Sequence, residues 1–129
     1  LGNDKYLPQA NTETFVVGQI ESRNLVDNID ELVAIDGLDG VVIGPYDLSG
    51  SYELPGDIDH PTVVEAIQIS IDKCREAGIY VGVGMGSNAA TAKRWHAAGA
   101  HWAMVGADYQ YMVQFADNLY SEIRGPERP

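Results

Sequence analysis

The chain repeats one pattern four times: a short apolar run rich in β-branched residues precedes a stretch with apolar residues at helical spacing. The apolar runs occupy residues 14–21, 38–44, 79–85 and 101–107. They do not alternate cleanly between apolar and polar residues, which is typical of strands buried on both faces of a parallel sheet. The repetition therefore predicts an α/β fold built from four βα units.

Helix signals follow the apolar runs. Residues 22–36 carry apolar residues at helical spacing behind Ser22, a candidate N-cap. A second helix is expected from about Pro61 to Ala77, because proline suits the first helical position and Gly78 suits the residue after a helix end. Between these helices, the segment "GPYDLSGSYELPGDIDHP" is predicted to be a long loop.

Four βα units are compatible with two architectures. One is a small doubly wound sheet, and the other is half of an eight-stranded βα barrel, whose full length is about 250 residues. The hydrophobic pattern does not distinguish them, and both place functional residues at the carboxyl ends of the strands. We expect residues 1–129 to form one partial domain, with residues 1–13 and 125–129 at its periphery.

The charge and the cysteine content limit which macromolecules the protein can bind and in which cellular compartment it is expected. Nineteen acidic and eight basic residues give a net charge of −11, which opposes binding to nucleic-acid phosphates and to anionic membranes. The lone cysteine, Cys74, has no disulfide partner in the chain and is interpreted as a small buried hydrophobic residue. We therefore expect a cytoplasmic protein without a nucleic-acid or membrane partner.

Two acidic residues follow the first two predicted strands. Gln19 and Glu21 are two positions apart, so their side chains face the same way. Asp47 follows the neighbouring strand about 4.8 Å away, which predicts that it lies within a few ångströms of Glu21. Two such carboxylates need either a shared proton or a cation, and Mg²⁺ or Mn²⁺ would suit them. The alternative is that either residue only caps the following helix.

These residues stand in phrases that closely resemble one enzyme family. "VGQIES" is followed, after one βα unit, by "DGVVIGPYDLSGS" and "PGDIDHPTVVEAI". The phrases resemble the HpcH/HpaI aldolases, metal-dependent pyruvate aldolases such as 2-dehydro-3-deoxyglucarate aldolase and 4-hydroxy-2-oxoheptanedioate aldolase. The resemblance runs from about residue 12 to residue 120. It implies a TIM barrel of the phosphoenolpyruvate/pyruvate type, with this chain supplying its last four βα units.

The resemblance also implies roles for site residues. Glu21 and Asp47 would bind a divalent metal, Mg²⁺ or Mn²⁺ with Co²⁺ as a further option. Gln19 and the backbone N–H groups around Tyr46 and Asp47 would bind pyruvate, and an aldehyde would be the second substrate. The metal would act as a Lewis acid on the pyruvate enolate. An imine mechanism would instead need a lysine on a strand, and Lys5, Lys73 and Lys93 are not placed for it.

In this family the proton-transfer histidine and a pyruvate-binding arginine lie in the first half of the barrel. We therefore expect no catalytic residue beyond the metal site here, and we interpret His60, His96 and His101 as non-catalytic. The chain opens on Leu1, and an isolated half-barrel would leave two unpaired sheet edges. We expect either a fragment or a half-barrel that pairs with the missing N-terminal half. The alternatives are an acyl-CoA or citrate lyase relative and a non-catalytic assembly subunit.

Two further segments carry predictions. The last helical stretch, residues 108–125, spreads apolar side chains over more than one stripe. Because the family resemblance implies homo-oligomers, often hexamers, we predict that residues 109–123 lie at a subunit interface. The glycine-rich run "GVGMGS" at residues 82–87 lacks the lysine of a phosphate-binding loop, and we interpret it as keeping the barrel mouth open.

Overall fold

The structure, a computed structural model, describes residues 3–125. It contains four strands: β1 (Val17–Ile20), β2 (Gly40–Ile43), β3 (Tyr80–Met85) and β4 (Trp102–Val105). The helices are α1 (Asn3–Glu13), α2 (Arg23–Asp27), α3 (Ile29–Val33), α4 (Pro45–Ser51), α5 (Pro61–Glu76), α6 (Ala89–Ala97) and α7 (Asp108–Arg124). None of the helices in this part of the chain is long and apolar enough to cross a membrane.

The four strands form one parallel sheet in the order β1-β2-β3-β4. A doubly wound sheet reverses its strand order at a switch point, whereas a βα barrel adds each strand beside the preceding one. The observed order has no reversal. The architecture is therefore that of half of a (β/α)8 barrel, which answers the question that periodicity left open, and β1 and β4 are the edges of the described sheet.

One face of the sheet packs against the helices. Side chains alternate between the two faces of a strand, and the helix-side residues Val41, Ile43, Val81 and Val83 of the two central strands are fully buried. Helix α5 covers the middle of the sheet with buried residues of its own, each contributing about 1.5 to 3 kcal/mol of burial free energy when large and apolar. The buried residues of this layer include Ile20, Val41, Ile43, Val81, Val83, Ile67, Ile71 and Cys74.

The opposite face of the sheet shows why β3 is rich in glycine. A Cβ atom at Gly82 would lie 2.3 Å from the ring of Trp102, and one at Gly84 would lie 3.3 Å from Cε of Met104. Large side chains of β4 thus lie over glycines of β3, in the way that inward-facing residues of a barrel interleave. These glycines make room for Trp102 and Met104, and their interpretation as keeping the barrel mouth open stays a prediction.

The helix boundaries match the sequence signals only in part. Ser22 caps α2 as predicted, and α5 begins at Pro61 and ends one residue earlier than expected, with Gly78 in the left-handed region just beyond it. The single helix predicted for residues 22–36 is instead two helices. Asn28 separates them: its backbone leaves the helical region, with φ −114° and ψ 29°, and its side-chain amide donates to the carbonyl of Asn24 at 2.8 Å.

The N-terminal segment contains a helix that the sequence did not predict. Helix α1 was expected only as a peripheral stretch, and its residues Tyr6 and Leu7 are indeed exposed. Residues 1–2 and 126–129 belong to the segments predicted to be peripheral and lie outside the described residues.

Candidate functional site

The segment after β2 begins with a helix, although the sequence predicted a loop. Helix α4 starts at Pro45, directly after Gly44, whose extended backbone serves as the N-cap. Leu48 is fully buried, and the hydroxyl of Ser49 donates to the carbonyl of Tyr46 at 2.7 Å and accepts from the N–H of Gly56 at 3.0 Å. These contacts hold a helix in a segment whose glycine and serines would otherwise favour a turn.

This helix brings backbone donors to the carboxyl end of β2. The N–H groups of the first helical turn have no acceptor within the helix, and here they belong to Tyr46 and Asp47. Both residues are exposed at the sheet edge where β1 also ends. The edge therefore presents amide donors beside the acidic side chains.

The side chains of Gln19 and Glu21 face the same way, as their spacing predicts. Gln19 Nε2 donates to Glu21 Oε2 at 2.6 Å. Both side chains are exposed in this chain. The hydrogen bond fixes one carboxylate oxygen of Glu21 and leaves the other available to a ligand.

Gly44 lies at the centre of the site. A Cβ atom at this position would be 3.3 Å from Gln19 Nε2, 3.5 Å from Asp47 Oδ2 and 3.7 Å from Glu21 Cβ. The structure thus brings Gln19, Glu21 and Asp47 around one point at the carboxyl ends of β1 and β2. The fourth predicted site residue, Tyr46, lies in the same turn of α4 and is 60% exposed.

A cavity of about 310 Å³ opens beside this group. Its wall includes Gly84, Met85 and Gly86 of the glycine-rich run, and also Met104 of β4 and Gln110 of α7, to which no sequence motif pointed. Met104 lies within the fourth apolar run and Gln110 lies just after it, so the sequence places both near a strand end. The strand order was needed to place them beside the cavity. The cavity is lined by Gln19, Gly44, Pro45, Tyr46, Asp47, Gly84, Met85, Gly86, Met104 and Gln110.

The chemistry of the donor set fits a hard divalent ion that keeps several water or substrate ligands. No cluster of three or more His, Cys, Asp or Glu residues within residues 3–125 is arranged to hold a metal. Glu21 and Asp47 supply two carboxylates, and Mg²⁺ typically takes one or two carboxylates and fills its other positions with water or substrate oxygens. Asp47 is also an acidic residue in the first turn of α4, where it interacts favourably with the helix dipole.

The histidines make structural contacts. His60 caps α5, its Nδ1 accepting from the N–H of Thr62 at 3.3 Å. His101 Nδ1 accepts from the N–H of Val81 at 3.1 Å, at the opposite ends of the strands. None of the three histidines lines the cavity beside Gly44.

Four consecutive parallel βα units define half of a TIM barrel, a fold whose ligand sites lie at the carboxyl edge, where this chain has an acidic pair and the first amides of α4. The profile of the HpcH/HpaI aldolase/citrate lyase family matches residues 3–114. The chain belongs to this family, and the family resemblance of its motifs is confirmed.

Curated relatives are similar over most of the chain. It is 39% identical over 114 residues to a 2-keto-3-deoxy-L-rhamnonate aldolase of Klebsiella pneumoniae, covering 88% of the chain and 42% of the relative. It is 40% identical over 114 residues to a 4-hydroxy-2-oxo-heptane-1,7-dioate aldolase of Salmonella paratyphi B, covering 88% and 43%. The chain thus spans less than half the length of these relatives.

Solved structures agree with the half-barrel. A HpcH/HpaI aldolase/citrate lyase family protein from Burkholderia cenocepacia matches with a TM-score of 0.88 and 31% identity, over 94% of this chain and 47% of that one. A HpcH/HpaI aldolase from Desulfitobacterium hafniense matches with a TM-score of 0.85 and 24% identity, over 100% and 51%. The predicted fold class is confirmed.

Proposed function

We propose that the whole protein is a metal-dependent, class II aldolase. It would cleave 2-oxo-3-deoxy-4-hydroxy acids to pyruvate and an aldehyde, or form these acids from pyruvate and an aldehyde. The observation that carries the proposal is the grouping of Gln19, Glu21 and Asp47 around Gly44, at the carboxyl edge of a half-barrel of this family. We expect the chain alone to be inactive, because the proton-transfer histidine and the pyruvate-binding arginine would come from the first half of the barrel.

The residues at the edge have complementary roles in this proposal. Glu21 and Asp47 would hold the divalent ion, Mg²⁺ or Mn²⁺ with Co²⁺ as a further option. A bound ion would supply Lewis-acid stabilisation of the negative charge that develops when pyruvate loses a methyl proton. The amides of Tyr46 and Asp47 would donate to the pyruvate carboxylate, because the start of a helix favours anions.

Gln19 would bind Glu21 and pyruvate at the same time. Its side-chain amide has two N–H donors, and one of them already bonds to Glu21. The second would be free to donate to pyruvate. Gln19 would thereby orient a carboxylate of the site while it binds the substrate.

The described lysines favour this mechanism over an imine. Lys73 lies on α5 and donates to Asp30 Oδ1 at 2.8 Å. That hydrogen bond raises the pKa of Lys73, which favours its protonated form, and Lys73 does not line the cavity beside Gly44. Lys93 lies on α6, on the helix layer, and it does not line the cavity beside Gly44.

Isotope exchange in the whole protein tests the mechanism. The enzyme should exchange the methyl protons of pyruvate with deuterated water, lose this activity to EDTA, and regain it with Mn²⁺. Borohydride added with pyruvate should not inactivate it, since borohydride traps only an imine. Irreversible inactivation by borohydride would point to a lysine mechanism and contradict the proposal.

Substitution tests the residues. Glu21→Gln and Asp47→Asn should each weaken Mn²⁺ binding by at least about tenfold, because each removes one of two charged ligands. Asp36→Asn is the matched control, since Asp36 is an exposed acid in the turn before β2, at the far ends of the strands. Mn²⁺ affinity that is unchanged in both site variants would contradict the metal assignment.

We further propose that the whole protein is a homo-oligomer, with a hexamer as the family resemblance implies. The support is α7, none of whose residues is buried. The missing first half of the barrel would be the other partner, pairing with the open edges β1 and β4.

A further inference from the structure

We propose that Ser51 is a positioning residue for the metal site. Its hydroxyl would hold the segment that carries Glu21 at a fixed distance from the helix that carries Asp47. This inference rests on the proposed function, since it concerns how the two carboxylates come to share one ion.

The sheet ends just before both carboxylates. The last backbone hydrogen bond between the β1 and β2 segments runs from the N–H of Gly44 to the carbonyl of Ile20 at 2.9 Å. Glu21 and Asp47 both lie beyond this bond, on chain segments that the sheet no longer holds together. Some other contact must set their separation.

Ser51 supplies such a contact. Its Oγ accepts from the N–H of Arg23 at 2.7 Å. Arg23 lies two residues after Glu21, and Ser51 lies four residues after Asp47, which places Asp47 and Ser51 on the same face of α4. The hydrogen bond therefore joins the backbone next to Glu21 to the helix face that presents Asp47.

Together the two bonds close a ring. One side runs along the chain from Ile20 to Arg23, and the other runs from Gly44 to Ser51. Glu21 is inside the first side and Asp47 is inside the second. Neither carboxylate can change its backbone position without breaking one of the two closing bonds or straining the ring.

The helix cap does not duplicate the role of Ser51. The N–H of Arg23 is a first-turn donor of α2 and has no acceptor within that helix. Ser22 Oγ, the N-cap, accepts instead from the N–H of Leu25 at 3.4 Å. The Arg23 guanidinium also lies 5.8 Å from the centre of the Tyr52 ring, so the same two segments touch a second time.

The test is Mn²⁺ binding to the whole protein, measured by electron paramagnetic resonance. Ser51→Ala should weaken Mn²⁺ affinity by about three- to tenfold, the range expected from losing one neutral hydrogen bond that orders the site. Ser51→Thr keeps the hydroxyl and should restore affinity to within about twofold of the original protein.

Ser22→Ala is the matched control. It removes a hydrogen bond from the same helix start but leaves the bond between Ser51 and Arg23 in place. It should lower the melting temperature, since a lost N-cap destabilises a helix, without changing Mn²⁺ affinity. An equal loss of affinity in Ser22→Ala and Ser51→Ala would show a general effect of stability and overturn the positioning role.

The remaining outcomes separate the two proposals. If Glu21→Gln weakens Mn²⁺ binding and Ser51→Ala does not, the positioning role is wrong and the proposed function stands. If Glu21→Gln itself leaves Mn²⁺ binding unchanged, the proposed function and the positioning role both fail.

Discussion

At the scale of single residues, the candidate site depends on a position without a side chain. Gly44 has an ordinary negative φ, so its backbone does not require glycine. What favours glycine is space, because a Cβ atom here would lie 3.3 Å from Nε2 of Gln19, which is tighter than an ordinary contact, while Asp47 Oδ2 at 3.5 Å would be in ordinary contact. The ligand site is therefore sensitive to one methyl group.

We expect Gly44→Ala to reduce Mn²⁺ and pyruvate affinity by about tenfold, because the Gln19 amide, which donates to Glu21, must shift by a few tenths of an ångström and ligand geometry is demanding. Isothermal titration of the whole protein measures this. Gly50→Ala is the control in the same helix: nothing lies within 4 Å of its Cβ position, so binding should not change. Equal losses in both variants would contradict the role of Gly44.

A second prediction at this scale concerns Cys74. Burial raises the pKa of its thiol to about 11, from an ordinary value of 9.0. From about pH 9 upward the unfolded chain loses the thiol proton while the folded chain keeps it, so the free energy of unfolding should fall as pH rises towards 11. The loss should reach roughly 1 to 3 kcal/mol.

Urea denaturation at intervals from about pH 8 to about pH 11 checks this, with Cys74→Ala as the comparison. The alanine variant starts less stable because it loses buried volume. Its free energy of unfolding should nevertheless fall less as the pH rises, because it has no thiol to ionise. Parallel pH profiles for the two proteins would argue against a raised thiol pKa.

At the scale of elements, the sequence predicted those whose signals are local. Ser22 and Pro61 mark helix starts through their own side chains, and both predictions are confirmed. Helix α4 was missed because Gly50 and Ser51 favour turns, whereas the burial of Leu48 overrides that preference. Tertiary contacts decide such short helices, and a single sequence does not display them.

The candidate site likewise contains residues that the sequence could predict and residues that it could not. The grouping of Gln19, Glu21 and Asp47 follows from strand ends that neighbour each other in sequence, so it could be predicted. Met104 and Gln110 could not, because they reach the cavity only through the pairing of β3 with β4. The roles of the predicted residues remain a prediction that the proposed substitutions test.

The packing of β4 on β3 gives a prediction at this scale. Gly82→Ala would place a Cβ 2.3 Å from the Trp102 ring, so we expect it to destabilise the fold by about 1 to 3 kcal/mol through overpacking. Chemical denaturation of the whole protein measures the change. In the double variant with Trp102→Leu, the smaller side chain should recover part of the loss, and strict additivity of the two changes would contradict the contact.

At the scale of the whole molecule, the described chain exposes apolar surface where a finished assembly would cover it. Helix α7 carries Met112, Phe115 and Ile123, which are 72%, 71% and 73% exposed. Burying a large apolar side chain contributes about 1.5 to 3 kcal/mol. This surface is the physical reason to expect contact with another subunit.

We expect Phe115→Asp to weaken assembly of the whole protein, shifting it towards smaller species at micromolar concentration in sedimentation velocity experiments. Asn118→Asp adds the same charge at another exposed position of α7 and should change assembly less. A monomeric original protein, or equal behaviour of the two variants, would contradict an interface centred on Phe115.

The consecutive strand order also bears on how such a chain folds. Each strand pairs with the next one along the chain, at separations of about 20 to 40 residues, which keeps the loops to be closed short. The sheet can therefore grow in the order in which the ribosome releases it. Barrel closure is different, since it joins the first and last strands and must wait for the complete chain. We therefore expect misassembly chiefly at that final joining step, while both edges are still open to a wrong partner.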